Sequence, residues 1–228
     1  MTTRTVRFAL LACASSVLVA GCAGNLFKSD VPAPETFRLV TPAAPGEVAA
    51  ASAAGGVSAT AATVPLALAV ARPRAAAALD TDRIAVLASG SRFDYYSGAR
   101  WAEAAPQMLQ QNMVGALAAG GMFAAVYAAP ARAPAELLLD VELRRFEAVS
   151  PGSDASTGPA PVVHVQAQAS LVDTRRGVRV TSFVSEAAVP ASDNRLGAVV
   201  AAFERANAQV VQDISARVQA AAAALPAK

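Results

Sequence analysis

The sequence predicts an α/β fold, a two-layer sandwich in which a mixed β-sheet is covered by two amphipathic helices. Three observations carry this expectation. Short runs with apolar residues at every second position recur along the chain, as at Leu137, Leu139, Val141 and Leu143, the period of a strand with one buried face. Two longer segments, 101–117 and 194–224, place apolar residues at i, i+3, i+4 and i+7 instead, which is a helical stripe. Two one-sided helices need a sheet face to cover, and a chain of 228 residues has the length for one ordinary domain plus tails.

The chain begins with a leader. Arg4 and Arg7 precede an apolar run from Phe8 to Ala20, the charged and hydrophobic regions of a secretory signal, too short to span a bilayer comfortably. Leu18-Val19-Ala20-Gly21-Cys22 resembles the lipobox of bacterial lipoproteins, so residues 1–21 are expected to be removed. The Cys22 thiol then takes a diacylglycerol as a thioether, and the several acyl chains of a mature lipoprotein make anchoring effectively permanent. Ala23 follows Cys22; by resemblance to the sorting rule of enteric bacteria, this implies the periplasmic face of the outer membrane. Cys13 leaves with the leader, so no disulfide is expected. Losing Arg4 and Arg7 also brings the 19 basic side chains level with the 17 acidic ones. A near-neutral protein lacks the basic face that nucleic-acid binding requires.

Residues 22–35 read as the lipidated N-terminus and its tether, able to reach ~45 Å when extended. A single domain is expected over 36–218, with a low-complexity insert at 41–63 and a tail at 219–228. Its first strand is Thr36–Val40, with Phe37 and Leu39 apolar. The insert is nearly all Ala, Gly, Pro, Ser, Thr and Val, too poor in large side chains to offset the entropy of ordering. Pro65–Val70 is the second strand, ended by Arg72-Pro73-Arg74, and Arg83–Leu87 is the third, followed by a Ser89-Gly90-Ser91 turn. A polar turn carrying Tyr95 and Tyr96 leads into a helix whose stripe starts at Trp101 and runs through Ala105, Met108, Leu109, Asn112, Met113, Ala116 and Leu117. Gly120-Gly121 stops it.

Met122–Tyr127 is the next strand. In the strand from Leu137 the alternation breaks at Arg144-Arg145, where a bulge would restore Phe146 to the apolar side. Val162–Asp173 and Gly177–Val189 form a hairpin around a polar, glycine-containing connection. The last helix, Asn194–Ala224, carries a stripe of Leu196, Val199, Val200, Phe203, Val210, Val211, Ile214 and Val218, with Ser192 or Asp193 as its cap.

Catalytic chemistry is not expected. His164 is the sole histidine and alternates onto the outward side of its strand. A His/Cys metal centre lacks ligands, and no G-x-S-x-G, P-loop or G-x-G-x-x-G motif is present. Asp140 and Glu142 share a strand face ~7 Å apart and read as a solvated face with Arg144. We therefore expect no cofactor and no enzymatic activity. What stands out is the concentration of Phe93, Tyr95, Tyr96 and Trp101 in an aromatic-poor chain. Such residues are enriched at interface hot spots. Tyr95, Tyr96 and Trp101 are the candidate partner-binding residues, with core packing the alternative, favoured for Trp101 and evenly matched for the tyrosines.

The run Arg83-Ile84-Ala85-Val86, the cluster Tyr95-Tyr96-Ser97-Gly98-Ala99-Arg100-Trp101-Ala102-Glu103-Ala104-Ala105-Pro106, and Leu139-Asp140-Val141-Glu142-Leu143 with Phe146 together resemble the auxiliary lipoproteins of ABC-type lipid transport systems (PqiC-like). The likeness runs from Thr36 to Val218, with Phe37-Arg38-Leu39 in the place of that family's opening Tyr-x-Leu element; the insert at 41–63 departs from the pattern. The resemblance implies a non-catalytic periplasmic component anchored in the outer membrane. It would dock onto a mammalian-cell-entry (MCE) domain substrate-binding protein moving phospholipid or other hydrophobic molecules, energised by an inner-membrane ABC permease and ATPase. The runner-up is an outer-membrane assembly or peptidoglycan-synthase-activating lipoprotein. The oligomeric state stays open, homo-oligomer included.

Overall fold

A computed structural model describes residues 33–39, 64–88, 92–131, 133–150 and 158–225, nearly all within the compact unit Pro34–Lys228. The expected leader, the lipidation site Cys22, the expected insert at 41–63 and the expected turn at Ser89-Gly90-Ser91 lie outside the described residues. In chain order the elements are β1 (Glu35–Phe37), β2 (Val64–Val70), β3 (Arg74–Ala75), β4 (Arg83–Ala88), β5 (Arg92–Trp101), α1 (Ala105–Ala119), β6 (Phe123–Ala128), β7 (Leu137–Val149), β8 (Val162–Asp173), β9 (Val178–Pro190) and α2 (Leu196–Ala223).

β7 organises the sheet. Along one edge it pairs antiparallel with β8, from Leu137 opposite Asp173 to Val149 opposite Val162. Along the other it meets three strands in succession, all parallel: β2 at Leu137–Leu139, β3 at Glu142 and Leu143, and β4 at Ala148 and Val149. Beyond β2 lies β6, parallel; beyond β4 come β5, antiparallel, and then β1, parallel. β9 extends the sheet from β8. The sheet is therefore mixed, as expected.

Period-2 patterning decides which face is covered. Leu137, Leu139, Val141 and Leu143 of β7, with Val163, Val165, Ala167, Ala169 and Leu171 of β8, are buried in one core with the stripes of both helices. α2 packs on β8 and β9, α1 on β6 and β2, and the helices touch each other. Both therefore lie on one face. The opposite face is polar, with Arg74 paired to Asp140 at 2.9 Å and Ser170 bonded to Ser182 at 2.9 Å. The predicted bulge is present: the β7–β8 register shifts between Leu143 and Arg145, and Phe146 is buried.

Three expectations are corrected. The segment read as a polar turn is the ten-residue strand β5. Its alternation is hidden because, between the pairs Ala85–Tyr95 and Arg83–Arg100, residues 96–99 of β5 oppose Ile84 alone, a wide bulge in which Gly98 adopts φ +68°. Trp101 consequently ends a strand, and the helix starts at Ala105 with Pro106 in its first turn. A helix begun at Trp101 would place that proline where its missing N–H and its ring break the ladder. At α2 the cap is Arg195, with no side-chain capping bond; Asp193 instead accepts the Arg195 backbone N–H at 2.7 Å and its guanidinium at 2.6 Å. The last helix runs Leu196–Ala223, close to the expected Asn194–Ala224, with Ala222 buried. Smaller differences are a first strand limited to Glu35–Phe37 and the two-residue β3 inside a segment read as a connection.

Candidate docking site on the fifth strand

β5 sets the geometry of the aromatic cluster and divides it. Regular pairing with β4 stops at Tyr95, and the bulge begins at Tyr96, so the two tyrosines make different contacts. The Tyr95 ring carries the Arg83 guanidinium 3.8 Å above its centroid and meets Phe93 edge-on at 5.6 Å. Its hydroxyl donates to the Ala78 carbonyl at 3.1 Å, tying β5 to the turn before β4. Phe93 is 37% exposed. Phe93, Tyr95 and Arg83 thus form a surface patch of two rings and a cation stacked on one of them, an arrangement in which each group restricts its neighbours' rotamers.

Tyr96, like Tyr95, is half-buried against the core. Its hydroxyl is buried without a hydrogen-bond partner, and burial pushes the phenol up from its ordinary value. Trp101 is 1% exposed and packs edge-on against Phe203 at 5.2 Å and Phe146 at 6.0 Å. Its indole N–H also lacks a partner. Of the three candidate partner-binding residues, the structure places Tyr95 and Tyr96 half-buried on the rim of the core and Trp101 inside it. β1 pairs only with Ala99–Trp101, so the outer edge of β5 from Phe93 to Gly98 has no strand partner among the described residues.

The other candidate groups are engaged structurally. Asp140 is paired with Arg74, Glu142 lies 3.7 Å from Arg144, and Arg144 also bonds Gln168. His164 Nδ1 lies 3.3 Å from Arg145, and burial followed by that cation lowers its pKa. Glu147 was not foreseen: buried beside the bulge, it accepts the Arg145 Nε at 2.7 Å and the Phe146 N–H at 2.8 Å. It fixes the bulge with a charge-assisted pair. Its only sequence signal is a glutamate two residues after the break in alternation. No group of three or more metal-ligating side chains occurs among the described residues, and no helix among them is long and apolar enough to cross a membrane.

Comparison with known proteins now bears on the chain. Protein XCC0632 from Xanthomonas campestris is similar in structure, with TM-score 0.67 and 26% identity over 82% of this chain and 95% of that one. A second solved structure, of an uncharacterized protein, has TM-score 0.58 and 13% identity over 82% of this chain and 99% of that one, a likeness of fold alone. No curated protein matches in sequence. The family model for the ABC-type transport auxiliary lipoprotein component matches residues 47–215, which span β2 to most of α2 and include the whole of β5. The chain belongs to the ABC-type transport auxiliary lipoprotein family.

Proposed function

We propose that this lipoprotein is a non-catalytic auxiliary component of an MCE-type ABC transport system, anchored by acylated Cys22 in the outer membrane and facing the periplasm. It receives or supports the passage of phospholipid or other hydrophobic molecules from an MCE-domain substrate-binding protein, with energy supplied by the inner-membrane permease and ATPase. The family match across residues 47–215 carries the reading. Two further features support it. The lipobox ending at Cys22 provides the anchor that a component at the acceptor membrane needs, and the Phe93–Tyr95–Arg83 patch offers rigid aromatic area for docking.

The test is binding of the purified chain to an MCE-domain substrate-binding protein of the same organism. Replacing Phe93 and Tyr95 together by alanine is expected to weaken that complex at least tenfold while the fold, read by thermal unfolding, survives. Unchanged affinity with an intact fold removes the β5 patch from the interface. Absence of any complex with the native chain removes the MCE partner itself.

A further inference from the structure

No charged side chain occurs between Glu103 and Arg132, and that stretch builds α1, the glycine stop and β6. Among the described residues β6 is an outer strand that pairs with β2 alone. The direction of its backbone follows from one bond: the Ala129 N–H donates to the Val70 carbonyl at 2.8 Å. By strand alternation Tyr127 and Ala125 also face β2, so the N–H and C=O groups of Ala124, Val126 and Ala128 point outward, with no strand partner among the described residues.

Among the described residues this edge lacks the usual protections. Natural sheets blunt an outer strand with lysine, proline, inward charges or bulges, and Phe123–Ala128 contains no charge and no proline. Its shift of register against β2 lies on the β2 side, where Val64 and Ala67 oppose Phe123 and Ala125. Ala124, Ala125 and Ala128 are exposed and short, leaving room for a further backbone at the ~4.8 Å spacing of neighbouring strands. β9, the outer strand at the opposite end, differs. It carries Arg179, Glu186 and Pro190, and Arg205 caps the Pro190 carbonyl at 3.2 Å.

We infer that the outer edge of β6 is a strand-addition site for an extended, uncharged segment of a partner protein. Main-chain bonds to Ala124, Val126 and Ala128 supply the attraction in this mode of recognition, and side chains beside them set the selectivity. With no charge along β6 to answer it, a charged side chain buried there would go unpaired, so the edge selects an uncharged segment; interface centres show the same depletion of charge. A second copy suits it less well. β9 would bring Arg179 and Glu186 against it, and β6 on β6 would join two six-residue strands, short of the ~1,000 Å² that a stable interface needs.

The test takes the MCE-domain protein as its first probe and to that extent rests on the proposed function; a second arm does not. On binding of that protein to the full chain, hydrogen exchange at Ala124, Val126 and Ala128 is expected to slow at least tenfold. Ala124→Lys combined with Ala128→Lys should weaken the complex at least tenfold without lowering the unfolding temperature, whereas Val184→Lys on β9 should not weaken it. A complex that forms with these amides unprotected and tolerates both lysines overturns the inference while leaving the partner in place. If no complex forms, the proposed partner falls, and a photo-crosslinker at Ala124 in intact cells decides the inference alone. An adduct mapped to an uncharged extended segment of another protein and lost in the lysine variant sustains it. An adduct with a second copy, or none that the lysines abolish, overturns it.

Discussion

The two ends of β5 are one strand by hydrogen bonding and two regions by environment. Ala99–Trp101 is held between β4 and β1, the Trp101 N–H donates to the Asp82 carbonyl at 2.6 Å, and Phe146 and Phe203 enclose the indole. Arg92–Tyr95 is paired on its β4 side; the Phe93 and Tyr95 rings lie against each other, and Arg83 stacks on Tyr95. Between them sits the bulge around Gly98. The difference shows that a cluster of aromatics in sequence need not be a cluster in space. The bulge puts Trp101 inside the core and leaves Phe93 exposed, with Tyr95 half-buried beside it.

The largest expected effect lies at the buried end. Trp101→Ala removes a fully enclosed ring and leaves a cavity between Phe146 and Phe203, which should cost about 3–5 kcal/mol in denaturant unfolding. Trp101→Phe should cost well under half of that. It keeps much of the apolar contact and removes an indole N–H that has no partner, and an unpaired buried donor is itself a cost. Equal losses from the two substitutions would mean that the indole N–H is bonded in solution, which would change the view of this end of β5.

The bulge comes next. Gly98 adopts φ +68°, and a Cβ added there meets nothing within 4 Å, so the backbone conformation alone sets the penalty. Gly98→Ala should cost about 1–2 kcal/mol, with Gly98→Asn costing less because asparagine tolerates the left-handed region better. If alanine is free of cost at this position, the two ends of β5 are not separated by a fixed bulge.

Much of this fold could be read from the chain because β7, β8 and β9 keep a period of two over long runs, broken only locally, and both helices a period near 3.6. The bulge at Arg144-Arg145 was readable too, since a single break lies between two regular runs. β5 escaped for the opposite reason. Its bulge is wide and sits beside two adjacent tyrosines, so no run of alternation survives on either side. Trp101 also lies four residues before Ala105 and joined the helical stripe by coincidence, although Pro106 argued against a helix begun there. β3 is too short to carry a period. At the candidate site, the stacking of Arg83 on Tyr95 depends on the bulged register and has no sequence signature, whereas the uncharged stretch before Arg132 is plain in the sequence but acquires meaning only once β6 is seen at an edge.

Tyr96, beside the bulge, gives a smaller effect with a definite sign. Burial raises its phenol above the ordinary value of 10.0. Below that pH both folded and unfolded chains are protonated at this residue. As pH rises through 10.0 and on through the raised folded value, the unfolded chain loses its proton first and the fold loses stability. Tyr96→Phe should abolish this part of the alkaline decline and leave stability at neutral pH unchanged or slightly higher, because it deletes a buried hydroxyl that lacks a partner. Unfolding titrations of the two proteins between neutral pH and the alkaline range compare them directly, and identical slopes would place Tyr96 in water.

The smallest expected effect on the fold is at the exposed end. Phe93 is 37% exposed, and its contact is the edge-on meeting with Tyr95 at 5.6 Å. Phe93→Ala should therefore change unfolding free energy by less than about 1 kcal/mol, the scale of a single exposed aromatic pair. That small number makes the residue informative. A substitution nearly silent in stability can weaken a complex only through the surface it alters, so a loss of binding by Phe93→Ala would belong to recognition, whereas the same loss in Trp101→Ala could follow from unfolding alone. A destabilisation at Phe93 approaching that of Trp101→Ala would show instead that both ends of β5 serve the core, and the strand would then offer no docking patch.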